Sequence, residues 1–81
     1  MSLNKLVAKN VRYIRILLSI TQEELANEMN VNQSFISAME SNGKVISLNR
    51  LEKIAKIFGV KPYILLKENL TSEIINKILK E

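Results

Sequence analysis

Two glycines and one proline are all that this 81-residue chain offers for tight reversals, and that scarcity narrows the possible folds more than any other feature. A sheet of short strands needs a positive-φ residue or a proline-set turn at nearly every reversal. The lone hairpin-type dipeptide, Asn42-Gly43, is not flanked by alternating apolar and polar residues. Ile and Leu together supply 22 residues. A composition that is 47% hydrophobic and 25% charged is that of a folded domain, not a disordered tail. The expectation is a single all-α domain.

The apolar residues repeat at helical steps. From about Asn4 to Leu18, a stripe runs through Leu6, Val7, Val11, Ile14 and Leu18. A second helix opens at Thr21, because Thr21-Gln22-Glu23-Glu24 has the spacing of a capping box. Leu25, Ala26 and Met29 form its inner face, and Asn30-Val31 interrupts it. Asn32 is a good N-cap for a third helix, which runs to about Ser41 with Ile36 and Met39 inward and ends at Asn42-Gly43. Ser47 caps a fourth, with Leu48, Leu51, Ile54, Ala55 and Phe58 inward and Gly59 as its stop. Pro62 suits the first turn of a short fifth helix through Tyr63, Leu65 and Leu66. Thr71 or Ser72 caps the last, which carries Ile74, Ile75, Ile78 and Leu79.

The chain has no Cys, His or Asp. Disulfides, thiolate metal sites, the usual general base and triad chemistry are therefore unavailable. No catalytic residue, metal, cofactor or small-molecule substrate is expected. No stretch approaches the ~18 apolar residues of a membrane span, and none resembles a signal peptide. The expectation is a cytoplasmic, non-enzymatic protein with no membrane partner. A formal charge of +4 points only mildly towards a polyanion.

Helices two and three carry the functional signal. Two short capped helices joined by about three residues form the helix-turn-helix pattern, and neither is long enough to be stable alone. Packing on helices one and four would hold the third helix proud of the surface, ready for a DNA major groove. Its outward face carries Gln33, Ser34, Ser37 and Ala38. An amide can bond bidentately to adenine, a hydroxyl can contact several bases, and a methyl can meet the thymine methyl. Backbone N–H groups at Thr21–Gln22 and Asn32, where helices two and three start, are oriented donors for phosphate. Read from the helices alone, the same polar face is equally consistent with plain solvated residues.

The runs Thr21-Gln22-Glu23-Glu24-Leu25-Ala26 and Val31-Asn32-Gln33-Ser34-Phe35-Ile36-Ser37, with Glu40, Ser47-Leu48, Leu51, Ile54-Ala55 and Phe58-Gly59-Val60, resemble the Cro/phage-repressor (Xre-type) helix-turn-helix family. The resemblance spans about Val11 to Leu66. The small size and final helix look like restriction–modification controller proteins, and also like short repressors with a dimerising tail. It implies a compact five-helix DNA-binding domain, taken as residues 1–66, and residues 67–81 are expected to form a C-terminal dimerisation helix. It assigns base contacts to Gln33, Ser34, Ser37 and Ala38, and phosphate contacts to Gln22 and to polar groups around Ser41, Asn42 and Lys44. Phe35 would lie near the bases or shield the core. Arg15 and Glu40 match a pair that the family uses as an internal salt bridge between helices one and three.

One departure from that pattern stands out. Thr21 to Gly43 contains four Glu and no Lys or Arg, so phosphate neutralisation must come from Lys44, with Arg50 or Lys53, or from Lys9 or Arg12. Modest half-site affinity, a shallow salt dependence and reliance on a homodimer are expected. Leu65, Leu66, Leu70, Ile74, Ile75, Ile78 and Leu79 are the candidate dimer residues, on the reasoning that the earlier helices already fill a core; folding back over helix one or five is the alternative. The expected partners are double-stranded DNA, as an approximately palindromic operator, and a second copy of the chain. The competing function is an antitoxin-like or other protein-interaction module with secondary DNA binding.

Overall fold

The computed structural model describes residues 2–80. Five α-helices follow one another: α1 (Leu3–Leu17), α2 (Gln22–Met29), α3 (Gln33–Asn42), α4 (Leu48–Phe58) and α5 (Ser72–Lys80), with a 3-10 turn at Pro62–Leu66 between the last two. No strand occurs among the described residues. The expected fifth helix is present in the tighter 3-10 form, not as an α-helix. Pro62 sets its first φ, and five residues are too few to repay α-helical nucleation.

Local chemistry sets most boundaries. Thr21 Oγ1 accepts from the Glu24 N–H at 3.0 Å, and a Glu24 carboxylate oxygen accepts from the Thr21 N–H at 2.9 Å. The Thr21 N–H that donates to the carboxylate, and secondarily the Thr21 hydroxyl beside it, favour the charged form, so the Glu24 pKa falls below its ordinary value of 4.5. Ser2, Ser47 and Thr71 hydroxyls accept from the backbone N–H groups of Lys5, Arg50 and Ile74. Asn32 caps α3 through its backbone alone, since its side chain makes no capping bond. Gly43, at φ 65°, ends α3 in the left-handed region. A β-carbon there would lie 3.1 Å from Lys5 Cγ, so the α1 N-terminus rests against the α3 C-terminus through this glycine.

The core lies where α1, α2, α3 and α4 converge: Val11, Ile14, Leu25, Ile36 and Ile54 are fully buried. Two members of the predicted dimer set join them. Leu65 and Ile75 are both 0% exposed, so neither reaches a partner, and the expectation that the earlier helices fill the core by themselves is corrected. α5 supplies a missing wall, and Ile78 and Leu70 pack half-buried against the same cluster.

Asn10 is a polar member of this interior. Its Nδ2 donates to the carbonyls of Leu65 (2.9 Å) and Lys67 (2.8 Å), tying α1 to the end of the 3-10 turn. It sits on the α1 stripe between Val7 and Val11, a position that marks it for burial.

Candidate nucleic-acid interface

α3 packs chiefly on α2 and α1. Ile36 and Met39 anchor it in the core. Gln33, Ser34 and Ser37 are exposed, while Ala38 and Phe35 are half-buried. Gln33 and Ser37 are one turn apart, as are Ser34 and Ser37, so the three share one face.

Beneath this face lies a charged link between helices. Arg15 Nε donates to Glu40 Oε2 at 2.7 Å and its Nη2 to Oε1 at 3.0 Å, while Nη1 donates to the Ile20 carbonyl at 2.8 Å. Both residues are buried. Such a pair is tolerated in an interior only when its remaining valences are satisfied; Gln22 contributes by donating from Nε2 to Glu40 Oε1 at 3.1 Å. Gln22 Oε1 in turn lies 3.5 Å from Gln33 Nε2, at the outer limit of a hydrogen bond. A chain of polar contacts thus runs from the core pair through Gln22 to the outermost amide of α3.

Most of the predicted phosphate set falls at helix ends. Thr21, Gln22 and Asn32 stand at the starts of α2 and α3. Asn42 is the exposed last residue of α3. Ser41 is less available than the sequence suggests, because its hydroxyl donates to the Ser37 carbonyl at 2.7 Å, leaving only its acceptor capacity.

Two cations come to α3 from outside it. Lys44 Nζ lies 5.0 Å and Arg50 Cζ 4.5 Å from the centre of the Phe35 ring. With Asn30, Val31, Asn32 and Ser34 they line one polar hollow. Among the outlying candidates, Arg50 is the one whose guanidinium reaches α3. Lys9 and Arg12 instead border a hollow beside Tyr13, Ile16 and Leu70, and Lys53 lies by Asn49, Lys56 and Pro62. Neither hollow is shared with α3.

The predicted dimer residues do not form one surface. Besides Leu65 and Ile75 in the core, Leu66 lines an apolar hollow with Leu3, Ile46, Leu48 and Leu51 near the start of α4. Leu79 lies at the other end of α4, 3.8 Å from where a β-carbon of Gly59 would be. Ile74 is half-buried. The large side chains that are most exposed include Leu48 (80%) and Leu3 (67%), with Leu66 at 41%.

Residues 11–65 match the Helix-turn-helix family. Control protein C.BamHI of Bacillus amyloliquefaciens is 40% identical over 58 residues, which cover 70% of this chain and 72% of that protein. The crystal structure of the hypothetical transcription factor NHTF from Neisseria superposes with a TM-score of 0.75 at 33% identity, covering 94% of this chain and 84% of that one. A structure of the nucleoprotein complex C.Esp1396I gives a TM-score of 0.72 at 26% identity, covering 100% and 97%.

Proposed function

The chain belongs to the helix-turn-helix family of DNA-binding transcription regulators, and from that premise we propose that it binds an approximately palindromic operator as a homodimer and controls restriction–modification genes. The observation that carries this reading is the open polar edge of α3, where Gln33, Ser34 and Ser37 stand exposed on one face of a helix anchored from behind. In this reading Gln33 bonds an adenine edge, Ser34 and Ser37 contact neighbouring bases, and the Ala38 methyl meets a thymine methyl. Amides at the starts of α2 and α3, with Gln22, Asn42 and Lys44, hold the phosphates on either side.

Size favours two copies. The backbone framework spans about 31 Å at its longest, comparable to one ~34 Å turn of DNA, and presents one base-reading helix, so a single copy reaches one stretch of major groove. Two-fold pairing doubles the reading length and neutralises twice as many phosphates. Leu66, extended by Leu3 and Leu48, offers the aliphatic surface for that pairing. The likeness to a control protein supports restriction–modification genes as the regulated set.

Selection of bound sites from random duplex DNA tests the proposal. Inverted half-sites whose centres lie about 10 base pairs apart are expected. Enrichment of a single unrepeated half-site would overturn the dimer reading, and no enrichment would overturn sequence-specific recognition.

A further inference from the structure

We propose that Phe35 is a positioning residue whose ring holds Lys44 and Arg50 together as a two-cation clamp for duplex phosphate. The inference rests on the DNA-binding reading and deepens it. The segment Thr21–Gly43 that approaches the DNA has four Glu and no cation, so it meets a polyanion with the wrong sign of charge. Attraction must be imported to its edge, and a flexible lysine in a turn would be a poor device unless something held it there.

The ring supplies that hold. Phe35 packs half-buried against the core, so its position is set by the fold. The quadrupole of an aromatic face attracts cations within about 6 Å of its centre, and both Lys44 Nζ and Arg50 Cζ fall inside that range. Their backbones are fixed independently: Lys44 follows the left-handed Gly43 lodged against Lys5, and the Arg50 N–H donates to Ser47 Oγ in the cap of α4.

Neither cation has a carboxylate. Among the described residues the one ion pair within 4.0 Å is Arg15–Glu40. Two like charges sharing one ring repel each other, and no carboxylate among the described residues pairs with either. The hollow they border also contains Ser34 and Asn32, whose amide makes no capping bond. Two cations beside neutral hydrogen-bonding groups, on the rim of the helix that reads the bases, suit two neighbouring phosphates of one strand.

Salt dependence of duplex binding distinguishes this role from packing or base contact. Each phosphate neutralised contributes about 0.9 to the slope of log K against log salt. Lys44→Gln and Arg50→Gln, at exposed positions that leave the core intact, should each flatten the slope by about that amount, and the double variant by about twice as much. Phe35→Leu keeps an aliphatic filler but removes the quadrupole. It should weaken binding about three- to ten-fold on cognate and random duplex alike, flatten the slope, and blunt the effect of either charge substitution. Phe35→Tyr should restore the wild-type slope.

An unchanged slope in the Lys44→Gln/Arg50→Gln double variant overturns the clamp, whatever Phe35→Leu does to folding. So does a folded Phe35→Leu protein that keeps the wild-type slope but changes its preferred sequence, which would make Phe35 a base reader. If the wild-type protein fails to retard any duplex, the DNA-binding reading falls first and the clamp with it.

Discussion

The Arg15 guanidinium and the Glu40 carboxylate meet edge to edge inside the protein, 2.7 Å apart at Nε–Oε2 and 3.0 Å at Nη2–Oε1, and thereby lock α1 to α3. Removing one partner leaves the other charged and buried, which costs about 3–5 kcal/mol. Glu40→Ala should lower the urea midpoint accordingly and also release Gln22, whose amide donates to the same carboxylate. Arg15→Met with Glu40→Leu, an apolar replacement of both, should recover much of the loss. A Glu40→Ala protein as stable as wild type would mean that the pair is not sealed from water.

Gln33 stands at the far end of that polar chain. Gln33→Ala should weaken cognate binding by about 1–3 kcal/mol and relax preference at one base position. Its effect on random duplex should be small, because no phosphate contact is lost. Competition between cognate and random fragments measures the difference, and equal losses on both would remove Gln33 from the base-reading set.

The Thr21–Glu24 capping box gives stability a pH dependence. The folded pKa of Glu24 lies below 4.5, so the unfolded chain binds a proton more readily. The box therefore contributes fully above the unfolded value, and the contribution fades as pH falls from there through the folded value. Thr21→Ala should cost about 0.5–2 kcal/mol at neutral pH. Glu24→Gln should remove part of the acid-range decline, seen in urea midpoints taken between neutral and strongly acidic pH. An identical decline in wild type and Glu24→Gln would assign it to other carboxylates.

What the sequence reveals, and what it hides, follows the range of the interactions. The Thr21 box and the glycine stops at Gly43 and Gly59 depend on residues a few positions apart, so their chemistry is written locally. The Arg15–Glu40 link spans 25 residues, and only resemblance to a family brings it within reach. Arg50 meets Phe35 only in the folded chain, a three-dimensional fact with no periodic trace. Ile75 shows a different limit. An apolar stripe records that a face will be buried, and is silent on whether the burying partner is the same chain or another.

Ile75 is fully buried within the protomer, whereas Leu66 is 41% exposed beside Leu48 and Leu3. Ile75→Ala should destabilise the folded protomer by about 2–5 kcal/mol, the range for emptying a core site. Leu48→Ser should leave the protomer nearly as stable, since Leu48 is 80% exposed, and Leu66→Ser should cost less than Ile75→Ala, since only part of Leu66 is buried within it. If the two-fold contact lies on that surface, both should shift a monomer–dimer equilibrium towards monomer in sedimentation experiments, and DNA binding should become more steeply dependent on protein concentration. A dimer that survives Leu48→Ser and Leu66→Ser unchanged would move the contact elsewhere, to the half-buried face of α5 around Ile74 and Ile78.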